Sequence, residues 1–258
     1  MLKYNTLKYF FWAIFIGMVL YAFLVQSIAL YYFIGITALW LGYIVYGAFR
    51  MRAEIFMPSI CSLPQTSKNN LLLTFDDGPH PVHTPQILDI LKHAQAKAIF
   101  FCIGKNIALY PDLVKRIVAE GHIVANHSYN HSNLIGIYPT AKVIAEIEQT
   151  EQAITACVGS SLKLYRPPFG VTNPNIARAV KALGMKAIGW NVRSFDTVST
   201  SKIEVLNRIT PGLKNGDILL FHDTTQLTTD ILVDFLLFAT DKGFTCDVNS
   251  IREIEGIG

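Results

Sequence analysis

Between Tyr9 and Phe49 the chain carries no charged side chain, a run of about forty residues bounded by Lys8 and Arg50. A single membrane span uses about 20 apolar residues, and the core of a secretory signal is shorter still. The run is therefore expected to form two transmembrane helices, from about Tyr9 to Val25 and from about Ile28 to Phe49, divided near Gln26-Ser27. Trp12, Trp40 and several Tyr are expected at the membrane–water interfaces. A helical hairpin buried in a soluble protein is the alternative. Residues 1–53 are thus expected to be a membrane anchor, residues 54–70, with Pro58 and Pro64, a linker, and residues 71–258 a separate domain.

The apolar fraction of 51% owes much to that run. A formal net charge of +3, with no basic cluster interleaved with aromatics, gives no footprint for nucleic acid. Cys61, Cys102, Cys157 and Cys246 are widely spaced, form no CxxC pair and indicate no disulfide framework. Beyond the expected linker, apolar runs alternate with helical patterns. Expected strands are Leu71–Phe75, Ala98–Ile103, His122–Asn126, Leu162–Tyr165, Lys186–Trp190, Asp217–Phe221 and Phe244–Asp247. Between them lie helical patterns near Thr84–Ala94, Pro111–Glu120, Pro139–Val158, Asn173–Leu183, Ser201–Leu213 and Thr228–Asp241. Alternation of this kind predicts parallel strands with crossover helices.

Five segments carry chemistry. In Thr74-Phe75-Asp76-Asp77-Gly78-Pro79-His80, two carboxylates end an apolar strand. Neighbouring strand side chains point to opposite faces, so one Asp can hold a metal while the other stays a free base. An Asp-Gly turn closing a strand is the plainer reading. In His127-Ser128-Tyr129-Asn130-His131, the i, i+4 spacing is read as one face of a helical turn. Two His and one carboxylate suit zinc or a similar divalent ion with an open position. Leu164-Tyr165-Arg166-Pro167-Pro168-Phe169-Gly170 is a stiff loop able to fix an Arg and a backbone N–H. Trp190-Asn191-Val192-Arg193-Ser194-Phe195-Asp196 and Gly216-Asp217-Ile218-Leu219-Leu220-Phe221-His222-Asp223 complete the series.

In this order the five segments resemble the polysaccharide deacetylase family, also called the NodB-homology or carbohydrate esterase family 4 domain. Lys97-Ala98-Ile99-Phe100-Phe101 and Glu120-Gly121-His122-Ile123 read the same way. The resemblance runs from about Leu71 to the C-terminus and implies an irregular (β/α)7 TIM-like barrel, preceded here by the helical hairpin. It implies Asp76 as catalytic base, Asp77, His127 and His131 as metal ligands, Arg166 as the residue holding Asp76, and His222 as general acid. Asp196 would tune His222. Phe169, Pro167, Trp190 and Leu220 would form the oxyanion and substrate-binding surface. The expected cofactor is a divalent metal, Zn2+ first. A contact between Arg166 and Asp76 is expected to be charge-assisted, with a bidentate geometry available to it.

The fourth motif departs from the resembled pattern. Many relatives carry an acidic residue three positions after the Trp and another Trp after the second acid, where this chain has Arg193 and Thr197. Phe169 stands where Tyr is common. The expected activity is removal of N-acetyl groups from an N-acetylglucosamine-containing glycan such as peptidoglycan. Alternatives are deacetylation or deformylation of a lipid-linked amino sugar at the membrane surface, and an inactive carbohydrate-binding module. Expected partners are the acetylated sugar and membrane lipid. Lys3, Lys8, Arg50 and Arg52 place the domain in the cytoplasm by the positive-inside rule. A cell-wall substrate places it outside, and outside is the expectation adopted.

Overall fold

The computed structural model describes residues 2–64 and 69–254, leaving residues 65–68 of the expected linker and both extreme termini outside the described residues. Two helices, α1 (Leu2–Leu24) and α2 (Leu30–Phe49), open the chain. Each is long and apolar enough to cross a membrane, with mean hydropathies of 1.9 and 1.5. Their outer side chains, from Tyr9 and Phe10 to Leu39 and Phe49, lie exposed. Between them the helices stack aromatics: Phe11 on Trp40 at 4.9 Å and Phe15 against Phe33 at 5.6 Å. Trp12 and Trp40 therefore fall near the middle of their helices rather than at the expected interfaces. Trp40 stacks across the hairpin on Phe11, while Trp12 packs on Phe11 and Phe15 of its own helix.

The remaining elements alternate. They are β1 (Asn70–Asp76), α3 (His83–His93), β2 (Ala98–Cys102), α4 (Gly104–Leu109), α5 (Pro111–Ala119), β3 (Ile123–Asn126) and α6 (Thr140–Val158). After them come β4 (Leu164–Tyr165), α7 (Pro174–Ala182), β5 (Lys186–Ala187), β6 (Val192–Arg193), α8 (Lys202–Ile209), β7 (Ile218–His222), α9 (Gln226–Asp241), β8 (Thr245–Cys246) and α10 (Asn249–Ile254). Every strand pair is parallel, in the order β5-β4-β3-β2-β1-β7-β6, with β8 beside the start of β1. This is an irregular barrel of parallel strands. Two-residue β5 takes up only the start of the strand expected over Lys186–Trp190, and β6 lies beyond it at the other end of the sheet.

Period-2 alternation sorts β1 cleanly. Leu71, Leu73 and Phe75 face outward into a core with Ile87 and Leu91 of α3 and Ile231, Leu232 and Phe235 of α9. Leu72 faces inward, with Ile99, Phe101, Ala125, Leu164, Ile188 and Ile218. Thr74 and Asp76 share that inward parity, so β1 delivers a carboxylate to the barrel mouth.

Residues 51–63 do not behave as the end of an anchor and a linker. Met51, Ile55, Phe56, Met57 and Cys61 are buried in a cluster with Val143 and Ile147 of α6 and Ile176 and Val180 of α7. Ile60 bridges Ile188 and Ser62 bridges Asp217, so the segment runs from the end of β5 to the start of β7. Gly47 lets α2 approach, since a Cβ there would meet Phe56 and Ile55 at about 3 Å. Thr172, in the loop beyond Arg166, donates its N–H to Ala48 O at 2.9 Å and its hydroxyl to Gly47 O at 2.8 Å. The hairpin is thereby bonded to the loop side of the barrel.

Candidate active site

The five chemistry-bearing segments reach the C-terminal rim of the strands, where barrels of this kind carry their chemistry. Asp76 ends β1, and its register partner on β7 is His222. Arg166 follows β4 and has no exposed surface. Its Nη1 donates to Asp76 Oδ1 at 2.7 Å and to Thr74 Oγ1 at 2.8 Å. Its Nε and Nη2 donate to the carbonyls of Ile188 (3.0 Å) and Gly189 (2.8 Å), while Phe101 lies under its face at 4.1 Å. One Asp76 oxygen thus takes the guanidinium contact, so the pair is monodentate rather than bidentate. The two carbonyls engage the other nitrogens. Burial pulls the Arg166 pKa below its ordinary value, against the opposing pull of Asp76.

Asp77 leaves the strand with φ of 76°, a left-handed turn that strand alternation does not foresee. The turn brings its carboxylate toward the same space as Asp76. Asp77 Oδ1 lies 3.4 Å from His127 Nε2 and 3.2 Å from His131 Nε2, and His127 Nε2 is 3.7 Å from Asp76 Oδ2. Burial pushes the Asp77 carboxyl up, but His127, His131 and His222 outweigh it and hold it far below the usual range. Burial and the neighbouring His127 push the His131 imidazole down to about 4.

The His pair does not sit on a helical turn. Ser128 (φ 64°) and His131 (φ 51°) both adopt left-handed backbone, and the loop curls until the two rings are 4.8 Å apart. Polar groups that the sequence reading missed hold this loop. Asn126 Oδ1 accepts from Ser128 N at 2.9 Å, and Ser128 Oγ accepts from His131 N at 3.1 Å. Buried Glu146 of α6 accepts from Tyr129 N (3.0 Å), Asn130 N (2.8 Å) and Asn130 Nδ2 (2.8 Å). Asn106 Nδ2 donates to Asp77 O at 2.9 Å. Glu146 and Asn106 have no short-range signal, because each acts across a fold-level contact, whereas the Asn126 and Ser128 contacts are local turns within the loop.

Asp77, His127 and His131 offer ligand atoms within 4.8 Å of one another. Asp77 Oδ1 is buried and has no hydrogen-bond partner, an orphan that a cation would satisfy. His127 Nδ1 lies 2.8 Å from Arg166 O, which assigns the proton to Nδ1 and leaves the Nε2 lone pair toward Asp77. One carboxylate and two imidazoles fit a divalent cation such as Zn2+.

On the other flank, His222 Nδ1 is 2.8 Å from Asp196 Oδ1, leaving Nε2 as its second ring nitrogen. Asp196 Oδ2 accepts from His222 N and from Thr228 Oγ1, each at 2.7 Å. Burial pushes His222 down, but Asp196 outweighs it and holds the pKa above the ordinary value. Burial pushes Asp196 up, but His222 and Thr228 hold it below the carboxylate range. Thr228 is a further member the sequence reading missed. Asp223 lies beneath, with Oδ2 accepting from Thr84 Oγ1 at 2.5 Å, and burial pushes its carboxyl up to about 7.

Phe169, at φ 58°, lies half-exposed with its ring 4.6 Å from His131. Pro167 is extended beside it, and Trp190 lies near Gly170, whose absent Cβ makes room for the indole. Leu220 is buried on β7 opposite Thr74. Arg193 turns outward, over Phe195 at 4.5 Å and Trp190 at 5.8 Å.

A family model for polysaccharide deacetylase matches residues 64–188. The family 4 carbohydrate esterase from Streptomyces lividans, solved with acetate, is 32% identical, with a TM-score of 0.65 over 69% of this chain and 91% of that one. The chain belongs to the polysaccharide deacetylase family. A peptidoglycan-N-acetylglucosamine deacetylase of Bacillus cereus is 34% identical over 61% of this chain and 57% of that protein, so the match spans little more than half of that relative. A family pseudoenzyme from Bacillus anthracis is 25% identical, with a TM-score of 0.67 over 75% of this chain and 68% of that one.

Proposed function

We propose that this chain is a membrane-anchored, metal-dependent deacetylase that removes acetyl from N-acetylglucosamine units of a glycan such as peptidoglycan. The observation that carries the reading is the convergence on buried, unpartnered Asp77 Oδ1 of two imidazoles, with Asp76 and His222 alongside. Asp77, His127 and His131 would hold the cation, which supplies an acidified water and polarises the amide carbonyl. Asp76 Oδ1 is engaged by Arg166, so Oδ2, on the His127 side, takes the proton of the attacking water. The Phe169 N–H, fixed beyond Pro167 and Pro168, donates to the developing oxyanion. His222, oriented through Nδ1 by Asp196, gives its Nε2 proton to the departing amine as the C–N bond breaks. Acetate and a free amino sugar result.

The anchor and barrel act as one unit, because residues 51–63 and Thr172 join them. The apolar hairpin inserts in the membrane, and Lys3, whose Nζ is 3.4 Å from Ala53 O, lies at the barrel end of it. A cell-wall substrate places the barrel outside the cytoplasm, against the flanking basic residues. The test is acetate release from tetra-N-acetylchitotetraose by the full chain in nanodiscs. Wild-type release, abolished in Asp76→Asn, supports the reading. Sugar binding without release would make the protein a binding module.

A further inference from the structure

Beside the candidate site a cleft of about 400 Å³ runs from Gly170 and Trp190 to the end of α2. Its lining includes Arg50, Arg52 and Arg193 and no acidic residue. Among the described residues, none of these three arginines takes part in a salt bridge. Three unpaired guanidiniums in one cleft present a strong field for an oxyanion, and their planar forks suit phosphate in particular. The position is equally specific. His131 packs on Phe169, Gly170 follows it, and Trp190 fills the space of the missing Gly170 Cβ, so the cleft begins one aromatic layer from the proposed metal ligands. Its far wall, Phe49–Arg52, is the exit of the second apolar helix, and Thr172 bonds that helix end to the same loop. A polar substrate group in this cleft would lie at the membrane surface while its sugar reaches the rim of the barrel.

We propose that this cleft binds the phosphate or diphosphate joining an N-acetylated amino sugar to a membrane lipid. This rests on the deacetylase reading and narrows its substrate to a lipid-borne one. Arg50 and Arg52 then have a ligand to bind, which weakens their use as a topology signal. The bulk phospholipid headgroup is the competing source of the same chemistry.

The test uses full chain in phosphatidylcholine nanodiscs, with farnesyl-diphosphate-linked N-acetylglucosamine compared against tetra-N-acetylchitotetraose. The ratio of kcat/KM for the lipid-linked over the soluble substrate should fall about tenfold or more, through KM, in the double variant Arg52→Gln/Arg193→Gln. An unchanged ratio, or equal loss on both substrates, overturns the inference. So does a double variant that binds substrate-free phosphatidylglycerol nanodiscs more weakly while its KM for the lipid-linked sugar stays constant. If wild type releases acetate from neither substrate, the deacetylase reading fails separately. Titration of the lipid-linked sugar then still decides the cleft: weaker binding in the double variant supports it, and equal binding overturns it.

Discussion

Asp196→Asn removes the charge that tunes the proposed acid, together with the Oδ2 acceptor of His222 N and Thr228 Oγ1. Asn keeps the shape and one acceptor oxygen for His222 Nδ1, now 2.8 Å from Asp196 Oδ1 in a site where the Asp side chain is fully buried. A hydrogen bond to a charged partner contributes roughly 1.5–3 kcal/mol. At about 1.4 kcal/mol per pKa unit, its loss lowers the His222 pKa by about one to two units. Burial already pulls that group down, and of the opposing influences the charges of Asp76 and Asp77 remain. His222 must be protonated to act, so activity falls as pH rises through its folded pKa. The assay is kcat for acetate release against pH, whose alkaline limb reports the acid in the enzyme–substrate complex. In the variant that limb should move about one to two units to lower pH. A uniformly lower kcat with an unmoved limb would refute the role given to the Asp196–His222 pair.

Other consequences follow from groups away from the reacting atoms. Glu146→Ala removes the acceptor for three donors of the His loop and should weaken Zn2+ binding about 10- to 100-fold by chelator competition, without altering a proposed ligand. His122, buried with Nδ1 accepting from Ala98 N at 3.2 Å, is pushed down to about 4 by burial and Lys97. Its folded pKa lies below its unfolded one, so its contribution is full above about pH 6.5 and is lost as pH falls toward 4. Denaturation of wild type and His122→Gln at pH 7.5 and 4.5 should differ in pH dependence by up to about 3 kcal/mol. Gly78→Ala places a Cβ against the Asp223 carboxylate and should cost about 1–3 kcal/mol, read as a lower Tm.

Long apolar runs made β1, β2, β3 and β7 legible, because their hydrogen bonds and burial are both continuous over four or more residues. β5 and β6 are two residues each and carry no periodicity to read. Residues 54–63 looked like a linker because Pro58 and polar neighbours interrupt Ile55-Phe56-Met57, whose burial depends on distant α6 and α7. The identities of the converging residues were readable from their types and order. Their geometry was less so. Left-handed backbone at Asp77, Ser128 and His131 brings the carboxylate and two rings together, where strand alternation and helical spacing suggested other routes. Glu146 and Thr228 emerged only from long-range contacts.

The most direct measurement is Zn2+ titration of chelator-stripped full chain, with acetate release recorded at each addition. One equivalent should bind and restore turnover together in wild type, Asp76→Asn should bind it without turnover, and His127→Ala should do neither. Full turnover by the stripped protein, or unchanged Zn2+ uptake in His127→Ala, would contradict a site built on Asp77, His127 and His131.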